Sequence, residues 1–288
     1  MTTDVKFRIL EAIAAKRPFF SGSDAKYAIS LGISPSQYSR IKTGDITQVL
    51  SEQVWMALAR RLEVPVGNEQ KWNAAKTLVF DFITDQLAFC QKNAGSRLLC
   101  DVPDIGKTFT AKAYVKSNKN AIYIDCSQVK SRQKLVRQVA KEYGVGNTGK
   151  YSDVYADLVF YLRSIPSPLI ILDEAGDLEY PAFLELKALW NATERCCGWY
   201  MMGADGLRSR IRRSIDCKKV GYAELFSRYG ARYQRATPDS ADELRKFKNV
   251  LAAQIIKANV NGEVDIQKMI VKSDNSLRRI ADEIRKIA

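Results

Sequence analysis

A Gly-Lys-Thr triplet and an acidic pair carry the residue types that phosphate chemistry needs. Gly106, Lys107 and Thr108 form the triplet, and Asp173 and Glu174 follow the apolar run at 169–172. In the pattern G-x-x-x-x-G-K-[ST], backbone N–H groups cradle phosphates, the lysine reaches the terminal ones and the hydroxyl contacts Mg²⁺. Carboxylates at the end of a buried strand can hold that metal ion and orient water. The two segments together predict a site for ATP and Mg²⁺.

The loop before the triplet departs from the pattern. Asp101 stands where the first glycine belongs, and Asp104 adds a second carboxylate. Like charges at close range repel unless Mg²⁺ or lysine screens them, so these two carboxylates weigh against the binding of a polyphosphate. The residues that we assign to nucleotide binding here are Asp101, Asp104, Ile105, Gly106, Lys107, Thr108 and Phe109.

The chain contains no histidine, so a carboxylate must do the work of a general base. We assign Thr108 and Asp173 to the metal ion, and Asp173 and Glu174 to catalysis, with Glu174 polarising the attacking water. An acidic pair after a buried strand is by itself mostly structural. The preceding strand, loop and helix favour the catalytic interpretation over the structural one.

Two later segments bear on the same chemistry. After the strand at 199–202, Ala204 cannot orient water, and Asp205 would bring another carboxylate. Arg228 could reach the nucleotide of a neighbouring subunit, because a fixed guanidinium stabilises phosphoryl charge. A basic helix face that contacts DNA or solvent is the alternative for Arg228.

Strand-like and helix-like segments alternate through the middle of the chain, which predicts an α/β fold with a buried parallel sheet. The strands are expected to end at Cys100 and to span 121–125, 169–172 and 199–202. Helical periodicity returns after Tyr233 and predicts a small lid. We place an N-terminal helical domain at 1–70, the ATPase core at 71–236 and the helical lid at 237–288, with the first boundary near residue 70.

The first four predicted helices read as a DNA-binding bundle. Gly32 is the expected turn glycine of a helix-turn-helix, with Ala28, Leu31, Ile33 and Ile41 packed around it. A helical bundle that docks to another protein is the alternative. The outward side chains that we expect to contact DNA are Ser36, Gln37, Arg40 and Lys42.

The charge balance also favours nucleic acid, although solubilising charge remains the alternative. Forty-five Lys and Arg against 32 Asp and Glu give a net charge of +13, a surplus typical of proteins that bind anionic partners. Two basic clusters could follow a phosphate backbone without reading sequence, unless they are merely solvated. Their members are Lys130, Arg132, Lys134 and Arg137 in the first cluster, and Arg208, Arg210, Arg212 and Arg213 in the second.

Several classes of protein are excluded by what the sequence lacks. No apolar run is long enough to span a bilayer, and the N-terminus has no apolar region of the kind that signal peptides carry. The six cysteines have no C-x-x-C spacing, so we expect reduced core residues and no zinc site. We expect a protein of the bacterial cytoplasm that has no membrane contact.

With its segments in this order, the chain resembles the AAA+ ATPases of DNA transposition along nearly its whole length. Residues 100–114 look like the phosphate loop and following helix of that family, and 169–178 like its acidic strand. Met202-Gly203 resembles its sensor strand, and Leu225-Phe-Ser-Arg228 is the most specific short match. Asn275-Ser-Leu-Arg-Arg279 is similar to the lid motif that brings an arginine to the nucleotide, which makes Arg278 a further nucleotide-binding candidate.

The resemblance implies a DNA-stimulated ATPase that polymerises as a helical filament on double-stranded target DNA. It further implies capture of that DNA and its delivery to a DDE transposase. The family has glycine at the positions of Asp101 and Asp104, and a polar residue in place of Ala204, which bears on hydrolysis more than on fold. Two alternatives stay open: a non-hydrolysing helix-turn-helix regulator with a degenerate nucleotide-binding domain, and a helicase loader.

Overall fold

The computed structural model describes residues 1–64, 66, 72–260 and 262–287. Its N-terminal part contains four α-helices whose apolar faces share one core around Ile9, Ala28, Ile41 and Trp55. The predicted boundary near residue 70 lies outside the described residues. The N-terminal helices are α1 (Thr3–Lys16), α2 (Asp24–Leu31), α3 (Pro35–Lys42) and α4 (Glu52–Leu62).

Helices α2 and α3 form the expected tight turn. Gly32 ends α2 with φ of 80°, a left-handed conformation that costs glycine no side-chain clash. Ser34 begins α3 through a capping box, in which its Oγ accepts from Gln37 N and the Gln37 side chain accepts from Ser34 N. Leu31 and Ile33, on either side of the glycine, are buried as expected.

The central domain is built on a five-stranded sheet of order β2-β3-β4-β1-β5, and every pair in it is parallel. Alternate residues of a strand face opposite sides of a sheet, and apolar residues occupy both sides here, as in β1, where Leu98 and Leu99 join different clusters. The predicted α/β fold with a buried parallel sheet is confirmed. The strands are β1 (Ser96–Cys100), β2 (Ala121–Asp125), β3 (Leu169–Asp173), β4 (Gly198–Gly203) and β5 (Tyr233–Gln234).

Helices cover both faces of the sheet, and most of them match the periodicity of the sequence. The sequence did not predict the two helices that lie between β4 and β5. In the first of them, arginines interrupt a short apolar stripe that consists of Leu207 and Ile211. The helices are α5 (Leu78–Asn93), α6 (Lys107–Ser117), α7 (Arg132–Glu142), α8 (Tyr151–Ser164), α9 (Tyr180–Ala192), α10 (Asp205–Asp216) and α11 (Tyr222–Arg228).

The C-terminal helices pack around a small core of their own, with Ile256, Met269 and Ile280 at its centre. Asn259 connects this unit to the segment that precedes the sheet, since its amide oxygen accepts from Asn73 N at 2.7 Å and its amide nitrogen donates to Asn73 O at 3.1 Å. The lid helices are α12 (Ala241–Asn259), α13 (Ile266–Lys272) and α14 (Leu277–Ile287).

The N-terminal helices also contact the sheet domain. Glu63, just after α4, forms ion pairs with Lys112 at 3.0 Å and Lys116 at 2.7 Å, both on α6. Arg61 pairs with Glu142 at 2.7 Å, and both side chains are largely buried. These contacts hold the end of α4 against α7 and against α6, the helix that begins at the phosphate loop.

Among the described residues, no helix combines the length and the apolar character needed to cross a membrane.

Candidate nucleotide and DNA site

The predicted phosphate loop connects β1 to the start of α6. Gly106 precedes the helix with φ of 93°, a left-handed conformation that leaves open space where a Cβ would stand. The first N–H groups of a helix have no partner within it, and its N-terminus carries partial positive charge. This strand, loop and helix therefore have the arrangement that binds phosphate.

Lys107 lies beneath the loop with only 8% of its surface exposed. Its Nζ donates to the carbonyl oxygens of Asp101 at 2.9 Å and Val102 at 2.6 Å. Burial lowers the pKa of this ammonium, and the neighbouring carboxylates of Asp101 and Asp173 oppose that shift. An ammonium has three N–H donors, so one remains for a phosphate oxygen.

The structure brings together Thr108, at the start of α6, and Asp173, at the end of β3. Thr108 Oγ1 donates to Asp173 Oδ2 at 2.6 Å, and Asp173 is almost fully buried. The backbone N of Glu174 donates to the other carboxylate oxygen at 2.9 Å, which fixes the plane of the carboxylate. A hydroxyl and a carboxylate are the hard oxygen ligands that Mg²⁺ prefers, so this pair fits the predicted metal ion.

Tyr123 is a third member of this cluster that was not expected. Its hydroxyl donates to Asp173 Oδ2 at 2.8 Å from the adjacent strand β2. Burial, and then the charge of Asp173, raises the pKa of Tyr123, so the hydroxyl keeps its proton. Strand periodicity puts Tyr123 and Asp125 on one face of β2, but only the pairing of β2 with β3, in which Asp125 aligns with Asp173, brings that face to the acidic strand.

Glu174 lies beside this cluster in an exposed, left-handed backbone conformation with φ of 48°. Partial burial, and then the negative charge of Asp173, raises the pKa of its carboxyl group, while Lys107 opposes the shift. A carboxylate with a raised pKa is a stronger base than an ordinary glutamate. The position and basicity of Glu174 therefore suit activation of water.

We predicted that Asp101 binds nucleotide, but its carboxylate forms hydrogen bonds within the chain instead. Its carboxylate is fully buried and accepts from the backbone N of Ala236 at 2.7 Å, the backbone N of Thr237 at 3.1 Å and the Thr237 hydroxyl. Arg235 Nε is 3.6 Å from the same carboxylate. Asp101 thus connects the end of β1 to the segment after β5, and its charge is satisfied there.

The carboxylate of Asp104 contacts the C-terminal lid. It accepts hydrogen bonds from Ser276 and from the backbone of Arg278. Ile105 is buried in the apolar core, so only its backbone is available to phosphate, whereas Phe109 is 41% exposed on α6. Ala204 occupies the position before α10, and Asp205 begins that helix with an exposed side chain.

Arg228 lies at the end of α11 and contacts α9. Its Nε donates to Asn191 Oδ1 at 2.7 Å, its Nη1 donates to Glu224 O at 2.9 Å, and its guanidinium carbon is 5.3 Å from the centre of the Trp190 ring. None of these partners belongs to the phosphate loop or the acidic strand. The placement agrees with a role outside this chain's own site, and leaves the basic-face alternative open.

The expected DNA-contacting side chains on α3 are exposed or half-buried, and each has an internal partner. Arg40 donates to Asp45 Oδ2 through Nε at 3.0 Å and Nη2 at 2.8 Å, and Lys42 pairs with Asp24 at 2.9 Å. Ser36 Oγ lies 2.9 Å from Ser34 Oγ. DNA phosphates would have to compete with two carboxylates for these cations.

In the two basic clusters, some side chains form hydrogen bonds to backbone carbonyls and the others are exposed to solvent. Arg137 donates to the carbonyls of Asn147 and Gly149, and Arg210 donates to the carbonyl of Gly176. These two arginines hold loops in place. The remaining members have exposed side chains: Lys130 and Arg132, which face Asp177 and Glu185, and Lys134, Arg208, Arg212 and Arg213.

The sheet order, the phosphate loop after β1 and the acidic pair after β3 define an AAA+ P-loop protein. Residues 90–211 match the AAA domain family, which agrees with that class. Within it, the chain is similar to the transposition B proteins of Mu-like phages, so the resemblance seen in the sequence is confirmed.

Two curated relatives carry this similarity. The Mu-like prophage FluMu DNA transposition protein B of Haemophilus influenzae is 27% identical over 53% of this chain and 50% of its own length. The ATP-dependent target DNA activator B of Escherichia phage D108 is 22% identical over 70% of this chain and 62% of its own length. The matched part of the chain therefore spans between one half and two thirds of these relatives.

A solved structure, that of the Aeropyrum pernix ORC1 protein in complex with DNA, is more distant. It has a TM-score of 0.46 and 16% identity, over 72% of this chain and 60% of that one. A likeness at this level carries no functional information.

Proposed function

We propose that this chain is an ATP-dependent, DNA-binding AAA+ protein of DNA transposition, acting in the bacterial cytoplasm. It would assemble as a helical filament on duplex target DNA and deliver that DNA to a DDE transposase, whose activity it stimulates. The contact of Thr108 with Asp173 is the observation that carries the ATPase part of this proposal. The transposition part rests on the similarity to the two phage B proteins.

Each step of ATP hydrolysis has a candidate residue. The N–H groups at the start of α6 and the ammonium of Lys107 would bind the phosphates. Thr108 and Asp173 would hold Mg²⁺, which neutralises phosphate charge when bound. Glu174 would accept a proton from the attacking water, and Arg228 would stabilise phosphoryl charge in the site of a neighbouring subunit.

DNA binding is attributed to exposed cations rather than to base readout. Arg212 and Arg213 on α10 are exposed, as is Lys134 on α7. Contacts from such side chains to phosphates release counterions, so affinity should fall steeply as salt rises and depend little on sequence. A filament would repeat these cations along the duplex.

The decisive experiment is ATP turnover by the full chain, with and without long duplex DNA. Turnover that DNA stimulates, and that both Lys107→Ala and Glu174→Gln abolish, is the expected result. Phe160→Ala, which changes an exposed side chain on α8, serves as the matched control and should retain turnover. Turnover equal in wild type and in both site variants would show a contaminating ATPase and contradict the proposal.

The second candidate function is a helix-turn-helix regulator that binds nucleotide without hydrolysing it. The carboxylate of Asp104 beside the phosphate loop favours it, since it opposes the charge of ATP. The regulator predicts a footprint at one operator sequence and no turnover. The transposition protein predicts DNA binding that depends on duplex length and salt.

A further inference from the structure

Asp104 joins the phosphate loop to the start of the last lid helix, α14. Its Oδ2 accepts a 2.8 Å hydrogen bond from Ser276 Oγ, and its Oδ1 accepts one of 3.3 Å from the backbone N of Arg278. Nε of Arg278 is 4.0 Å from that same Oδ1. One carboxylate of the loop thus contacts a hydroxyl, a backbone N–H and a guanidinium of the lid.

The start of α14 explains why a carboxylate is useful there. The first N–H groups of a helix lack intrahelical partners, and its N-terminus favours negative charge. Ser276 Oγ accepts from Arg279 N at 3.4 Å, and Asp104 completes this cap from another part of the chain. The backbone of Asp104 has φ of 61°, a left-handed conformation that glycine adopts freely and aspartate tolerates.

The groups that Asp104 contacts are also groups that an incoming nucleotide could use. The side chain of Arg278 is 87% exposed, so its guanidinium can change partner without breaking core packing. Phosphates bound on the loop would bring negative charge close to Asp104, and two anions compete for one cation. The carboxylate and the nucleotide therefore compete for the same lid donors.

We propose that Asp104 is a positioning residue that holds the lid on the phosphate loop without nucleotide and competes with the phosphates of ATP for Arg278 and the first turn of α14. The inference rests on the proposed binding of ATP. Asp101 cannot act in this way, because its carboxylate is fully buried against Ala236 and Thr237. The Asp104 side chain retains 22% exposure and can exchange its partners.

The test compares four variants of the full chain: Asp104→Gly, Asp104→Asn, Ser276→Ala and the control Asp157→Asn. The control removes one negative charge from an exposed position on α8. Hydrogen exchange of residues 277–287 without nucleotide measures how firmly α14 is held. Titration with a fluorescent ATP analogue and Mg²⁺ measures affinity.

The variants should separate the two effects of Asp104. In Asp104→Gly, α14 should exchange faster and the ATP analogue should bind about 10-fold more tightly, a change of about 1.4 kcal/mol. Asp104→Asn keeps an acceptor for Ser276, so it should gain affinity with a smaller change in exchange. Ser276→Ala should speed exchange without tightening binding, because the charge of Asp104 remains.

Three results would overturn the inference in whole or in part. Exchange of α14 in Asp104→Gly equal to that in Asp157→Asn would show that the carboxylate does not hold the lid. An affinity of Asp104→Gly no higher than that of the control would show that it does not compete with ATP. If neither the wild-type protein nor any variant bound the analogue, both the proposed function and the competition with ATP would be refuted. The exchange data would still show whether Asp104 holds α14 on the loop.

Discussion

The hydroxyl of Thr108 donates to the carboxylate of Asp173 over 2.6 Å, although the two residues lie 65 positions apart in the chain. The contact joins the start of α6 to the end of β3, so the two motifs that the sequence showed separately share one site. Asp173 also accepts from Tyr123 on β2. The orientation of its carboxylate therefore depends on α6 and β2 as well as on its own strand, β3.

Replacement of Tyr123 by phenylalanine should lower ATP turnover without abolishing it. The change removes one hydrogen bond to Asp173, and loss of such an outer partner of a metal ligand typically costs about 10-fold. The rate should be measured at saturating ATP against Mg²⁺ concentration, where more Mg²⁺ should be needed for half-maximal turnover. Tyr155→Phe, at a half-buried tyrosine of α8, is the matched control, and equal rates in the two variants would contradict the role of Tyr123.

The basicity of Glu174 predicts an unusual dependence on pH. Burial and Asp173 raise the pKa of its carboxyl group, so turnover should decline on the acid side at a higher pH than for an ordinary glutamate. Because this pKa is higher in the folded protein than in the unfolded chain, ionisation of Glu174 at neutral pH lowers the free energy of unfolding. Glu174→Gln should therefore be more stable than wild type at neutral pH, and that gain should vanish as the pH falls below the ordinary glutamate value.

Urea unfolding at several pH values checks the stability half of this prediction, and a pH–rate profile checks the other. A Glu174→Gln variant that is less stable than wild type at neutral pH would refute the assigned direction of the shift. Glu179→Gln, at an exposed position before α9, provides the control.

Asp101→Gly should destabilise the chain, although it restores the glycine of the general phosphate-loop pattern. The buried carboxylate accepts from three backbone N–H groups, those of Val102, Ala236 and Thr237, and from the hydroxyl of Thr237, and its loss would leave these donors without a partner. The expected cost is about 3 kcal/mol in the free energy of unfolding, measured with urea. Thr237→Val removes the hydroxyl that donates to Asp101 and accepts from Arg235 Nε but keeps the backbone donors, so it should cost less, about 1 to 2 kcal/mol. A neutral or stabilising effect of Asp101→Gly would mean that the contact contributes nothing.

Removal of Asp45 should strengthen DNA binding if α3 contacts the duplex. Asp45 accepts from two nitrogens of the Arg40 guanidinium, and this hydrogen bonding lowers the pKa of its carboxyl group, so it stays charged at neutral pH. Asp45→Asn would free Arg40 for a phosphate, and we expect affinity to rise by about threefold and the salt dependence to steepen by about one counterion. Fluorescence anisotropy with a duplex at several salt concentrations measures both. Arg40→Ala should have the opposite effect, and unchanged binding in both variants would place α3 away from DNA.

Periodicity and motif spacing predicted most of the elements, because helix caps and apolar stripes are local features. Gly32 and Ser34 mark the turn between α2 and α3 within a few residues of sequence. Strand β5 escaped prediction because it has only two residues, and arginines obscured the apolar face of α10. Short or strongly charged elements give too few apolar positions to establish a period.

The chemistry of the loop was harder to predict than its location. From the sequence alone, Asp101 and Asp104 look like damage to a phosphate site. Their partners, Thr237 and Ser276, lie 136 and 172 positions away, and no local pattern connects residues over such distances. Tyr123 was missed for the same reason, since only pairing of β2 with β3 brings it to Asp173.

The ion pairs of Glu63 with Lys112 and Lys116 have a thermodynamic consequence for communication along the chain. They attach the helix-turn-helix unit to α6, whose first turn is the proposed phosphate cradle. If duplex DNA bound at α3 shifts α4 and weakens these pairs, the affinity of the loop for ATP changes by some factor. Reciprocity then requires ATP to change the affinity for that duplex by the same factor, so occupancy of either site becomes a readout of the other.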